Sequence, residues 1–330
     1  MDRGSRNLAP PPSSNLPVRA VLPLLMLLLL PGAAASAETV DERVLRAGDT
    51  ELRVAVVGVE DRARAGLLHG WAAEAARATL TASGRFPLKV ARARIVQRAS
   101  RDPSAVPWGQ TSRRGVVSVL LYVRPDATLE ELRADWTAVH EFSHLYHPYL
   151  GDDGRWLAEG LASYYQNVLR ARAGLLAPEE AWRRLEGGFA RGRRATDGVP
   201  LAGLGRGRGA TMRIYWAGAA YWLDADLALR ERGTTLDAVL DRHARCCLRG
   251  SAWMRPQAFV AALDEAGGGG VFTRLYEAHS AARSFPSQDA AYASLGIAAD
   301  AGALRFSRAP RAARLRAAIM QPATQGSGAD

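Results

Sequence analysis

Two residue types are nearly missing from this 330-residue chain: it has one lysine, Lys89, and two cysteines, the adjacent Cys246 and Cys247. Neighbouring cysteines rarely bridge each other without strain, so a stapled disulfide framework is excluded. The pair is expected as an unbridged, buried part of a helix, with an intermolecular bridge as the alternative in an oxidising compartment. With lysine almost absent, the net charge of +10 is carried by arginine and reads first as a GC-rich coding bias. Aromatic residues make up only 7% of the chain. A nucleic-acid surface needs clustered basic residues interleaved with exposed aromatics. Here the arginines are spread through helix-like segments beside Glu and Asp, so no nucleic-acid partner is expected.

Long apolar runs are also scarce. The one candidate, AVLPLLMLLLL (20–30), is shorter than the roughly 20 residues a membrane span needs. Arg3, Arg6 and Arg19 precede it and PGAAASAET follows, the layout of a secretory signal with cleavage after Ala37. An uncleaved anchor is the alternative and would be the only membrane association. No cysteine near the cleavage site suggests a lipoprotein. An exported protein, periplasmic or secreted, is expected, and no feature specifies its oligomeric state.

What remains is an ordinary globular sequence, 48% apolar and 23% charged. ELRVAVVGVE (51–60) alternates as a strand, residues 61–82 have helical periodicity, and FPLKVARARIV (86–96) alternates again. A Pro- and Gly-containing loop (99–114) leads to the apolar run GVVSVLLYV (115–123), expected as a strand flanking the site and open to pairing with an extended peptide. Helical periodicity then dominates to about residue 282, with breaks expected at 149–154, at the Gly- and Arg-rich stretch 187–210, and at 267–270. A small sheet followed by helices predicts an α+β fold. The expected organisation is a signal segment (1–37), a sheet part (38–127), the helices that carry a histidine cluster with a helical subdomain (128–300), and a partly disordered extension (301–330).

Three of the six histidines lie in HEFSHLYH (140–147). His140 and His144 stand four residues apart, so on a helix both rings reach one ion. Thr128 with Glu131 forms a capping-box pattern that starts a helix leading into this segment. Glu141 is then placed to reach water on the metal, the HExxH arrangement. His147 lies too far along one continuous helix to converge with the other two, and is expected at the pocket rim or behind a ligand. The third ligand is expected from Glu159 in RWLAEGLASYYQ (155–166), where Trp156, Leu157, Leu161 and Tyr164 form an apolar stripe. A carboxylate among such neighbours needs a cationic partner; a divalent ion is one, an arginine the other.

HEFSH followed by WLAEG resembles the gluzincin zinc peptidases, two histidines and then a glutamate on the next helix. IYWAGAAYWLDADLALRERGTTLDAVL (214–240), QAFVAALDEAGG and SFPSQDAAYASLGI are similar to later segments of the glycyl-aminopeptidase-like group, so that the resemblance spans roughly 115–298. It implies a thermolysin-like catalytic domain, one zinc ion on His140, His144 and Glu159, Glu141 as general base, and a peptide or protein substrate. It also implies that Tyr215, three residues before Gly218, stabilises the transition state. Two departures stand out: Ala217 occupies the family's lysine position, and GQTSRRGVVSVLLYV lacks the acidic Gly-Gly-x-Glu-type motif that recognises a substrate amino terminus. No PDZ-like module is evident. His₂Glu sites also accept cobalt or manganese. The rival expectation is an exported zinc-binding scaffold of the same fold without catalysis.

Overall fold

A computed structural model of the protein describes residues 39–205, 210–300 and 303–322; the proposed signal segment lies outside them. Glu38–Asp330 form one compact unit. Its first part is a five-stranded mixed sheet of β1 (Val40–Ala47), β2 (Thr50–Val57), β3 (Val90–Gln97), β4 (Trp108–Ser112) and β5 (Ser118–Val123), in the order β1-β2-β3-β5-β4. The three inner strands run parallel and both edges antiparallel. Alternate residues of β2, β3 and β5 are buried, so the sheet covers one face with core and leaves the other partly open. Helix α1 (Arg62–Leu80) connects β2 to β3, its Asp61 cap accepting from the Ala63 amide at 2.9 Å.

Two features of the sheet differ from expectation. Strand β1 and edge strand β4 fall where no strand, or a loop, was expected. Residues 118–123 are paired on both sides, by β3 and β4, so β5 cannot receive another strand; the edge beside the site is β4.

The expected single helix into the histidines is two. Thr128 and Glu131 do form the reciprocal capping box that starts α2 (Leu129–Ala134). Asp135 then turns extended, at φ −72° and ψ 144°. Its carboxylate accepts from the amides of Thr137 at 2.7 Å and Val106 at 3.2 Å, which stops α2 and starts α3 (Thr137–Ser143). The buried Arg170 guanidinium donates to the carbonyls of Arg133 and Ala134 at the break. After α3 one 3₁₀ turn (His144–Tyr146) ends the run.

The helical part comprises α4 (Arg155–Arg172), α5 (Pro178–Arg194), α6 (Thr211–Glu231), α7 (Leu236–Cys246), α8 (Pro256–Leu263), α9 (Val271–Ala281) and α10 (Asp289–Leu295). Helices α4 and α6 cross at glycines: a Cβ on Gly160 would lie 2.3 Å from the Gly218 backbone, and one on Gly218 2.0 Å from the Trp156 carbonyl. Helix α5 runs well into the stretch expected as a loop. Its Gly188 and Gly192 are spacers against Trp216, where a Cβ would lie 2.1 Å and 2.9 Å from that side chain.

The cysteines also differ: Cys246 and Cys247 are exposed and bonded to each other at the end of α7. The chain leaves helical geometry at Cys247, φ −133°, which frees the second side chain to turn back on the first. Beyond residue 300, β7 (Ala303–Phe306) pairs with β6 (Ile297–Asp300), and α11 (Pro310–Met320) packs on α4 and α5. Residues 323–330 lie outside the described part. Among the described residues no helix is long and apolar enough to cross a membrane.

Candidate metal centre

The short α3 is buried along its whole length, between β4 and α4. Its Val139 and Phe142 anchor the core, and His140 is 2% exposed. The ring of His140 sits edge-on to Trp136, at 5.2 Å between centroids, and stacks at 5.7 Å on Tyr215 from α6. Trp156, Leu157, Leu161 and Tyr164 bury one face of α4 and bring Glu159 over the two histidines.

One oxygen, Glu159 Oε2, lies 3.3 Å from His140 Nε2 and 3.6 Å from His144 Nε2. The outer ring nitrogens show which nitrogen of each ring is left to face it. Pro148 O can only accept, so His147 Nδ1 carries the hydrogen of their 2.7 Å bond. Burial, then the nearby Arg113 charge, holds the His147 pKa well below the ordinary imidazole range, leaving its Nε2 an acceptor. His144 Nδ1–H donates to that nitrogen at 2.9 Å, and His140 Nδ1–H donates to Gln166 Oε1 at 2.8 Å. On each ring Nε2 is therefore the nitrogen left for a ligand, and it faces the Glu159 carboxylate. Burial alone would raise that carboxyl's pKa; the imidazoles override it and hold it well below the usual range. For His140 burial pulls the other way, and Glu159 wins and raises it. Without a cation a proton is therefore favoured between this ring and Glu159, and a bound cation takes that proton's place.

Two lone pairs and an anion this close call for a cation. Metal–ligand bonds of about 2.0–2.1 Å in a tetrahedron place neighbouring donor atoms about 3.3–3.4 Å apart, close to the two observed separations. The set of two neutral imidazoles and one carboxylate is a zinc-type donor set, and the residues fit the ion. Arg155, the candidate guanidinium partner, stays 3.9 Å from the other oxygen of Glu159, beyond hydrogen-bond reach.

Glu141 is close as well. The ligand-capable atoms of His140, Glu141 and His144 lie within 4.8 Å of one another, so two carboxylates flank the imidazoles. They are held differently. Glu141 Oε2 accepts from the Thr111 hydroxyl of β4 at 2.9 Å, and the same hydroxyl lies 3.0 Å from the Glu141 carbonyl. Gly109, also on β4, gives the carboxylate its room: a Cβ there would lie 2.7 Å from Glu141 Cγ. Tyr215 is partly buried; burial and then Glu159 raise the pKa of its hydroxyl, which stays protonated. Tyr221, also on α6, is a core residue whose hydroxyl donates to Phe272 O at 3.1 Å. Asp152 and Asp153 are exposed on the turn before α4.

Sequence reasoning missed Thr111, Gly109 and Gln166. Gln166 had a signal: it follows Glu159 by seven residues, two turns along the same helix face.

A profile of the M61 glycyl aminopeptidase family matches residues 146–198, a stretch that holds Glu159 but begins after His144. No significant match is found among curated proteins. An aminopeptidase N family protein from Idiomarina loihiensis is similar in structure, at 13% identity and TM-score 0.58 over 78% of this chain and 49% of that one. An M1 zinc metallopeptidase from Deinococcus radiodurans is similar at 12% identity and TM-score 0.48 over 75% and 53%. The chain thus spans about half the length of the solved structures it matches. The chain has a gluzincin-peptidase-like fold, a small mixed sheet with helices built around the HExxH segment.

Proposed function

We propose that the protein is an exported zinc-dependent peptidase, residues 1–37 serving as its secretory segment. The observation that carries this reading is the division of labour between two carboxylates: Glu159 faces both Nε2 atoms, while Glu141 is held aside by β4. His140, His144 and Glu159 hold the ion. When bound, it supplies Lewis acidity that makes water a nucleophile near neutral pH and polarises the scissile carbonyl.

The rest falls to the chain's own groups. Glu141 takes the proton of the attacking water and passes it to the leaving amine. Thr111 fixes which oxygen of Glu141 is free to do so. Tyr215, kept neutral, donates its hydroxyl to the oxyanion of the tetrahedral intermediate. His147 and Gln166 hold the two ligand rings in the tautomer that exposes Nε2. Strand β4, the free edge beside Glu141, is where an extended peptide can pair.

The test is Glu141→Gln in purified zinc-loaded protein against a peptide library. The expected result is that zinc stays bound while cleavage falls by roughly 10³-fold. Undiminished cleavage removes Glu141 from the mechanism, and a wild-type protein that binds zinc yet cleaves nothing in the library overturns the peptidase reading.

A further inference from the structure

Next to the metal centre lies a cavity of about 540 Å³, within the size range of small-molecule and side-chain pockets. Trp136, Gln166 and Tyr215 form its wall towards the metal, and each of these touches His140. The remaining wall comes from α4, α5 and the start of α6 and is cationic. Arg170, Arg183, Arg184 and Arg191 line it, with Glu180 as the only acidic residue among the described ones. Glu180 is shared, 3.0 Å from Arg184 and 3.6 Å from Arg183. One carboxylate against four guanidiniums leaves a net positive cavity.

Two of the four arginines have no ion-pair contact within 4 Å among the described residues. Arg191 lies over the ring of Trp216, 4.9 Å from its centroid, and burial followed by Arg194 lowers its pKa. Arg170 is 1% exposed; burial, then Arg184, pushes its pKa down to about 10, with only Asp135 opposing. Its Nη2 serves the α2–α3 break, but Nε and Nη1 are buried without a hydrogen-bond partner among the described residues. So are Ser163 Oγ and Trp216 Nε1, both on residues of the same wall. Buried donors are normally paired. The positive charge of this wall, with the accessible donors of Arg183, Arg184 and Arg191, is complementary to an anion with several acceptor lone pairs.

We infer that this cavity is a specificity pocket that receives a carboxylate of the substrate beside the scissile bond, so that the protein selects acidic peptides. The carboxylate comes from an Asp or Glu side chain or from a free C-terminus; the chemistry of recognition is the same. The inference rests on the peptidase reading for its biological meaning, but not for its test. Guanidinium–carboxylate bonds are charge-assisted and geometrically specific, whereas an amide of the same shape provides one acceptor and brings two unmatched N–H groups.

The experiment has a catalytic and a binding arm. Zinc-loaded protein is assayed on peptides paired as Glu against Gln at each position flanking the cut, and as C-terminal acid against amide. The expected result is at least about a tenfold higher kcat/KM for the acid member of one pair. That advantage shrinks several-fold in an Arg184→Gln/Arg191→Gln variant, whose substituted side chains lie on the exposed face of α5. A preference at an internal position identifies the side-chain source, and a preference for the free acid identifies the terminus. Equal cleavage of every pair overturns the inference while leaving the peptidase reading intact. Should nothing be cleaved, the peptidase reading falls and binding decides the pocket. N-acetylglutamate must then bind more tightly than N-acetylglutamine, with the difference reduced in the α5 variant; equal affinity overturns the inference. Arg170→Gln is a further variant, but the α5 pair keeps the test decisive if loss of Arg170 unfolds the α2–α3 break.

Discussion

The two flanks of the metal centre are built on opposite terms. On the β4 flank the fit is close: Gly109 lies where any Cβ would strike Glu141, and the Thr111 hydroxyl fixes the carboxylate. On the α5–α6 flank there is open volume, positive charge and several buried donors without partners. The difference teaches where each function can reside. A group that must move a proton over a short path needs one position, and tight packing against a strand supplies it. A pocket that chooses among side chains needs space and a field, which the arginines on an exposed helix face supply.

The predictions set one flank against the other. The largest effect is expected from Tyr215→Phe, which removes the proposed oxyanion donor: kcat falls about 10²- to 10³-fold while KM moves little, as steady-state kinetics on one peptide would show. Next is His147→Ala, which leaves His144 Nδ1 without its acceptor. Zinc affinity falls about 10- to 100-fold, measured by competition with a chelating dye; unchanged affinity would show that the His147 bond does not orient the ligand. Third, Gly109→Ala on the tight flank costs roughly 1–3 kcal/mol by overpacking against Glu141, visible as a lower urea midpoint. On the loose flank, Gly187→Ala meets nothing nearer than Arg191 Nη1 at 3.7 Å, and as an interior helix position of α5 it gains about 0.5–1 kcal/mol. If both glycine variants respond alike, the contrast between the flanks is wrong.

The smallest effect is a pH dependence. His69 and His243 have lowered pKa values, burial being the first cause in each; both nitrogens of His243 are buried without a partner. The unfolded chain therefore binds more protons than the folded one just below the ordinary imidazole pKa of about 6.5. Their contribution to stability is complete above that pH and is lost as pH falls towards the folded values. Melting temperature should decline from pH 7.5 to 5.5, and His243→Phe should flatten part of the decline.

How much of this could be read from the residues follows from what each signal depends on. The capping box at Thr128, the spacing of His140 and His144, and the apolar stripe around Glu159 are local patterns, and the structure brings His140, His144 and Glu159 together. Tyr215 could be separated from Tyr221 only by its distance from Gly218, and the reason is now visible: Gly218 is where α6 crosses α4 at Gly160, which sets Tyr215 beside His140. Features that depend on tertiary partners were not legible. WGQTS in β4 carries no hydrophobic alternation, because an edge strand over a polar cleft has no face to bury. The break at Asp135 needs the Val106 amide from a distant loop. Gly188 and Gly192 read as helix breakers but are spacers for Trp216. The arginines of α5 carry no local signal of a pocket, and those beyond Gly187 fell in a stretch expected as a loop; only the fold turns them towards one cavity beside the candidate metal centre.

The central claim is that Glu159, not Glu141, is the carboxylate that binds the ion. Zinc titration of metal-free wild-type, Glu159→Gln and Glu141→Gln proteins tests it most directly. The account predicts one zinc per wild-type chain, nearly unchanged affinity in Glu141→Gln, and a loss in Glu159→Gln beyond the roughly 100-fold that a merely orienting residue can cause. Equal weakening in the two variants, or a wild-type chain that takes up no zinc, would contradict it.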